Sequence, residues 1–309
     1  MTEIYNFSYP PIVKPARLRK GDLAGVLSPA GPVDEAELQA GLRFLEESGY
    51  RVRLGRHALD KSGYLAGEDS ARLDDLHAMF GDPEVRAIFC TRGGYGAMRL
   101  LDRIKYDVIR EHPKIFAGFS DITALLLSIF ARTGLITFHG PMVRQVKAIG
   151  SQPFAALLQT VGSSDLHCLE FPEARVLVHG ETEGRLIGGN LCLVSHLVGT
   201  SFLPSFEGCI LFLEDTGEAL YRIDRMVTQL RLSGYLEGIS GLMAGTFKEC
   251  GDHAAIDSLL ADSMRDLHIP VVSGVSIGHG VSNTTLPIGV RARLDTASRS
   301  LLLKEPYVC

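Results

Sequence analysis

Three polar side chains stand where this chain could do covalent chemistry. They are the serine of AGFSDITALL, the glutamate of FLEDTGEALYRIDRM and the histidine of GVSIGHGVSNTTLPIG. Ser120 lies between a short apolar run and a helix-like segment. A serine hydroxyl is a poor nucleophile unless a base takes its proton and donors stabilise the resulting oxyanion. A sharp strand-to-helix turn meets part of that need. It exposes the hydroxyl and aims the first helix N–H groups at a reacting carbonyl. The same residue also fits an ordinary N-cap for a helix over 121–131. The GxSxG elbow pattern is not met, because the second residue after Ser120 is Ile122.

Glu214 ends an apolar strand-like run, Cys209 to Leu213. A carboxylate there can orient a histidine and stabilise its imidazolium form. Asp215 and Glu218 are rivals that fit helix-start positions, where the dipole favours acids. Asp224 and Arg225 fit a structural ion pair or a dimer contact. His279 sits between two glycines after the run Val271 to Val275. Neutral imidazole is a natural general base near pH 7, although a loop histidine can equally be a plain surface residue. His139, in FHGP, follows an apolar run and reads as a packed structural histidine. In TRGGYGAM, Gly93, Gly94 and Gly96 lie between a buried strand and a helix-like stretch. That loop lacks the Lys-Ser/Thr of a P-loop and is not GxGxxG. Its glycines would let a backbone N–H approach a substrate closely, as an oxyanion hole requires. Arg92 beside them suits a carboxylate, or a surface salt bridge. Gly188-Gly189-Asn190 reads as a turn with Asn190 capping the next helix, an architectural role.

The elements that must position these residues alternate in the first half. Strand-like runs cover Asp22 to Leu27, Arg51 to Leu54, Arg86 to Cys90 and Ile115 to Gly118. Helical spacing covers Asp34 to Ser48, Asp69 to Phe80, Tyr95 to Ile104 and Asp121 to Ala131. This alternation predicts an α/β unit with a parallel sheet, and ligand sites in such sheets lie beyond the strands' carboxyl ends. SPAGP, TRGGYG and GFSD all follow strands and should meet at that edge. Residues 151–175 lack a clear period and read as a linker between an N-terminal domain (1–150) and a C-terminal domain (176–309). The second half is a strand-rich mixed α/β region. Strands are expected at Val176 to Val178, Cys209 to Leu213, Ile239 to Phe247 and Val271 to Val275, with a closing hairpin of Val290 to Leu294 and Ser300 to Leu303. Helices are expected at Asn190 to Leu197, Tyr221 to Arg231 and Ile256 to Leu267.

Composition narrows the partners. The net charge is -5 with no basic block, which argues against nucleic acid or an anionic membrane. The longest apolar stretch is broken by Arg132 and Gly134, so no membrane span is expected. No signal peptide is apparent, and the scattered cysteines form no CxxC pair. A reduced, cytoplasmic protein fits. No HExxH and no zinc-spaced Cys/His set occurs, so neither a metal nor another cofactor is expected.

The combination of SPAGPV (28–33), RGGYGAMRLLD (92–102), GFSDITALL (118–126), GRLIGGNL (184–191), LFLEDTGE (211–218) and IGHG…LPIG (277–289) resembles the signature blocks of the LD-carboxypeptidase family, serine peptidase family S66. The blocks run in the family's order from about residue 20 onward. The resemblance implies a Ser-Glu-His triad of Ser120 (nucleophile), Glu214 (acid) and His279 (base). It implies an oxyanion hole from the N–H of Asp121 and one from the Gly93-Gly94 loop. It further implies a metal-free cytoplasmic homodimer that releases terminal D-alanine from a muropeptide tetrapeptide in murein recycling. A second branch of the family, the microcin C self-immunity hydrolases of peptidyl and aminoacyl nucleotides, is similar too. Those members commonly set a tryptophan against the nucleotide's base. This chain has no Trp, so stacking would fall to Tyr or Phe. A non-catalytic protein binding small peptides or nucleotides on the glycine loop is the alternative from another class.

Overall fold

The computed structural model describes residues 9–166 and 168–309. The first half builds β1 (Leu23–Leu27), α1 (Glu35–Glu47), β2 (Arg51–Leu54), α2 (Asp69–Gly81) and β3 (Val85–Cys90). A 3-10 stretch over Ala97–Arg103 follows, then α3 (Tyr106–Glu111), β4 (Ile115–Gly118), α4 (Thr123–Thr133) and β5 (Thr137–His139). All five residues of β1 are buried, as expected of a central strand covered on both faces. Strands β2, β1, β3, β4 and β5 are parallel in that order. This is a doubly wound arrangement whose order reverses between β1 and β3, where ligand crevices form. The loops after those two strands meet there, and the Gly31 N–H donates to the Gly93 carbonyl at 3.0 Å.

The chain then crosses through α5 (Gln145–Ala148) and α6 (Gln152–Gly162) into β6 (Cys168–Glu170) and β7 (Arg175–Val178). Residues 151–175, expected as an irregular connection, thus carry a helix and a strand. Phe154, Leu157, Leu158 and Val161 bury the inner face of α6. The second half continues with β8 (Glu181–Asn190), α7 (Leu191–His196), β9 (Cys209–Thr216), α8 (Leu220–Leu232) and β10 (Gly241–Lys248). It ends with α9 (His253–Ser263), β11 (Val271–Gly278), β12 (Leu286–Ile288), β13 (Arg291–Asp295) and β14 (Ser300–Leu303). Eight of these strands form a mixed sheet in the order β6-β14-β13-β8-β9-β10-β11-β7. Its centre, β8 through β11, is parallel, and its flanks are antiparallel.

Several local expectations are corrected. The stretch expected as a helix from Tyr95 is a 3-10 turn beginning at Ala97, with Gly94 and Gly96 before it at φ 111° and 123°. A glycine loop with such dihedrals cannot lie inside an α-helix. Gly188-Gly189-Asn190 is not a turn but the end of β8, although Asn190 does cap α7 by accepting from the Leu193 N–H. Ser120 is not the N-cap of the helix behind it: it opens a 3-10 turn, Ser120–Ile122, and α4 starts at Thr123.

Two features join the halves. Helix α4 is apolar nearly all round, from Thr123 to Phe130, and such a helix must be covered on every side. It packs on β5 of the first sheet and on β8 of the second. Strand β12, far along the chain, pairs antiparallel with β5 (Leu286 opposite His139, Ile288 opposite Thr137) and becomes the sixth strand of the first sheet. Three apolar residues carry no period that would reveal this excursion in the sequence.

The β8–β9 pairing depends on Gly188. Its φ is 153°, and a Cβ there would stand 1.8 Å from the Phe212 carbonyl oxygen. Gly188→Ala should therefore destabilise the fold by on the order of 3 kcal/mol, combining backbone strain with overpacking. Denaturant unfolding checks this, and an unchanged midpoint would show that the contact is not limiting.

Candidate active site

The parallel strands set the position of Ser120. It follows β4 by two residues, and its φ is +63°, left-handed for a residue that is not glycine. Side chains avoid that region, and residues held there concentrate at functional turns. The turn puts the hydroxyl at the strand's carboxyl edge, where the loops after β1 and β3 also end. The backbone strain is accommodated because Phe119, Asp121 and Ile122 around it are buried.

The second sheet supplies the other two groups. Glu214 lies near the end of β9 and is fully buried. His279 follows directly on β11, with its side chain 18% exposed. The His279 Nε2 lies 3.2 Å from the Ser120 Oγ. On the other side of the ring, His279 Nδ1 lies 2.6 Å from Glu214 Oε2. With the carboxylate accepting at Nδ1, the tautomer is set and Nε2 is left as an acceptor for the serine proton. Serine, histidine and glutamate therefore form one hydrogen-bonded chain across the two sheets. The ring is held from two further directions. Phe119 packs on it with ring centroids 4.8 Å apart, and the Asn283 Oδ1 accepts from the Gly278 N–H at 2.9 Å to fix the loop. Neither Phe119 nor Asn283 stood out in the sequence. Phe119 supports the histidine through a contact between distant segments, whereas Asn283 acts within the loop, five residues from Gly278, through a hydrogen bond that no motif signals.

Burial alone would push the Glu214 carboxyl up. The imidazoles of His139 and His279 more than offset it and hold the group down at about 2. Glu214 is thus a carboxylate at neutral pH. Its neighbour Asp215 goes the other way, pushed up to about 6 chiefly by burial. Asp215 was expected at the start of the next helix. It instead braces the start of α7, accepting from Asn190 Nδ2 at 2.8 Å and from the Cys192 N–H at 2.9 Å. Asp224 and Arg225 do not pair with each other: Asp224 accepts from the Thr228 hydroxyl, and Arg225 lies over the Tyr221 ring. Glu218 lies 3.5 Å from Arg222.

The glycine loop abuts the serine. A Cβ on Gly93 would stand 2.9 Å from Ser120 Oγ and 3.2 Å from the Asp121 nitrogen. The Asp121 carboxylate is turned away from the histidine, and its Oδ2 accepts from the Ala97 N–H at 2.8 Å. That bond ties the far end of the glycine loop to the residue after Ser120. Arg92, half-buried, donates through Nη1 to the Pro32 carbonyl at 3.1 Å, while its buried Nε has no partner. His139 is packed as expected, with no exposed surface, but it is not remote from the site: its ring faces Glu214. Among the described residues, no group of three or more His, Cys, Asp and Glu side chains is arranged to hold a metal ion.

The description "LD-carboxypeptidase N-terminal domain" matches residues 24–140, and "LD-carboxypeptidase C-terminal domain" matches residues 183–294. The chain is 38% identical to a probable murein peptide carboxypeptidase of Bacillus subtilis, over 98% of this chain and 97% of that one. Among solved structures, it resembles an MccF-like protein from Bacillus anthracis, with a TM-score of 0.88 and 30% identity over 94% of this chain and 99% of that one. It also resembles a muramoyltetrapeptide carboxypeptidase from Oxalobacter formigenes, with a TM-score of 0.80 and 29% identity over 91% and 97% of the two chains. With both halves matched and the alignments running nearly end to end, the chain belongs to the LD-carboxypeptidase family, peptidase family S66.

Proposed function

We propose that this chain is a serine-type LD-carboxypeptidase that removes the terminal D-alanine of a murein tetrapeptide. The observation that carries the proposal is the Ser120–His279–Glu214 chain, with contacts of 3.2 Å and 2.6 Å. Ser120 Oγ attacks the carbonyl carbon of the bond after the diamino acid's L-centre, and His279 Nε2 takes the hydroxyl proton. Glu214 holds the ring and balances the imidazolium charge. The carbonyl oxygen becomes an oxyanion facing the Asp121 N–H and an N–H of the Gly93-Gly94 loop. The intermediate collapses, the C–N bond breaks, and the histidine returns the proton to the departing amine of D-alanine. Water then attacks the acyl-enzyme, deprotonated by the same histidine, and frees Ser120 and the shortened peptide. Arg92 is assigned the substrate's terminal carboxylate. It lies on the same loop and has an unpartnered buried nitrogen. The resemblance to carboxypeptidases of murein peptides supports this choice of substrate.

A second reading is hydrolysis of an aminoacyl nucleotide, and it rests on the likeness to an MccF-like protein. One surface feature favours it. Tyr95, two residues past Gly93, is exposed and meets exposed Tyr64 edge-to-face at 5.5 Å, giving an aromatic surface for a nucleobase. Mass spectrometry of the purified protein with a murein tetrapeptide and with an aminoacyl-adenylate analogue, side by side, separates the two readings. The first predicts loss of one alanine residue from the tetrapeptide with the analogue left intact.

Ser120→Ala should lower tetrapeptide turnover by about 10⁴-fold or more, the scale of a lost nucleophile. Turnover near that of the unaltered enzyme would overturn the assignment. Gly93→Ala keeps the loop N–H but would bring a Cβ to 2.9 Å from Ser120 Oγ, so displacement of the hydroxyl from His279 and from the oxyanion donors should lower kcat by about 10²-fold, and an unchanged kcat would remove the glycine loop from the site. Arg92→Ala should raise KM for the tetrapeptide. Unchanged KM and kcat would remove Arg92 from substrate binding.

A further inference from the structure

Two imidazoles, not one, face the Glu214 carboxylate. His279 takes Oε2, and His139 comes from the opposite side, its Nε2 3.9 Å from Oε1. His139 ends β5 in the first sheet, Glu214 lies in the second, and both are fully buried. Glu214 Oε1 and both ring nitrogens of His139 lack a hydrogen-bond partner at these distances. Buried polar atoms are seldom left so, because each forfeits the hydration it had in the unfolded chain. Here the unpartnered atoms belong to facing side chains. The ring is held at that spacing by edge contacts with Phe119 at 5.8 Å and Phe212 at 5.3 Å. A gap of 3.9 Å is about 1 Å longer than a hydrogen bond, and it is too narrow for a water in line between the two atoms.

We infer that His139, as the Nε2–H tautomer, donates to Glu214 Oε1 and is a positioning residue of the catalytic machinery. It does not reach the substrate. It acts by holding the carboxylate plane so that Oε2 stays on His279 Nδ1, and by drawing part of the negative charge toward Oε1. A carboxylate held through one oxygen alone could rotate and drop the catalytic histidine; a donor on each oxygen prevents that. The titratable groups near Glu214 are His139, His279 and, next along β9, Asp215. On the strands flanking β5, the residues paired with His139 are Gly118 and Leu286, neither of them charged. Removing the His139 donor would therefore leave the full carboxylate charge acting on His279. The protonated imidazole of His279 would be held more strongly.

This inference rests on Glu214 orienting His279 as proposed above. The test compares His139→Phe and His139→Gln in tetrapeptide hydrolysis as a function of pH. His139→Phe should lower kcat about 10-fold at unchanged KM and move the acid limb of kcat/KM to higher pH by about half a unit or more. His139→Gln, which keeps an N–H near the Nε2 position, should restore most of both. Equal behaviour of the two variants, or an unmoved acid limb in His139→Phe, would overturn the inference. If His139→Phe does not fold, nitrogen NMR of the otherwise unaltered histidine-labelled protein decides. Two ring signals should change on Glu214→Gln, one of them an Nε2–H tautomer, and a change confined to one ring would overturn the inference. A Ser120→Ala protein that remains active would instead overturn the triad itself, so the two failures are distinguishable.

Discussion

A carboxylate with no access to water has to be met by donors or give up its charge. Glu214 is such a group, and it lies where the two sheets face each other. The donors that keep it ionised come from different parts of the chain: His279 follows β11 in its own sheet, and His139 ends β5 in the other. Neither sheet alone contains the arrangement. The burial of one acid therefore depends on the two sheets meeting in one relative position, and so does the alignment of Ser120 with His279. The apolar wall that excludes water from Glu214 also places Phe119 and Phe212 around the histidines.

Strain and burial are complementary in this site. Ser120 occupies a backbone region that costs on the order of 1–3 kcal/mol for a side-chain-bearing residue. The surrounding core over-determines that conformation: Ile122 and most of α4 are buried behind it, and Gly93 presses from the front with no side chain of its own. The Ser120 hydroxyl is thus held in place by the fold itself. Asp121, pushed up by its burial, contributes a carboxylate that secures the glycine loop rather than the histidine. Two adjacent polar residues thereby point to separate partners, one to His279 and one to the scaffold.

Much of this was legible in residue types. The alternation of apolar runs and helical spacing located β1 to β4 and the helices α1, α2 and α4, but not α3. Residue types marked Ser120, Glu214 and His279 as candidates beside rivals such as Asp215 and His139, and the family resemblance singled out the three that the structure brings together. What stayed hidden was of one physical kind. The pairing of β12 with β5, the packing of Phe119 on His279 and the orientation of His139 toward Glu214 are all contacts between segments distant in sequence. Short apolar pieces such as Leu286–Ile288 carry no period that says which sheet they join. Asp215 was misread for a related reason. Its position suggested the helix that follows it, whereas its carboxylate bonds to one that precedes it.

The antiparallel strand β12 has a bearing on how the molecule is made. Until Leu286–Ile288 has been synthesised, β5 is the open edge of the first sheet, and His139 lacks its strand partner. An unpaired edge of this kind is a template for association with other chains, and nascent domains otherwise tend to fold as they emerge. The half that bears Ser120 therefore cannot close on its own schedule. Its last strand is supplied from beyond residue 285, after the glutamate and the histidine have already been translated. Assembly of the surroundings of Ser120 is thereby deferred to a point at which all of its partners exist, so that a truncated chain would carry Ser120 without His279 and Glu214 aligned behind it.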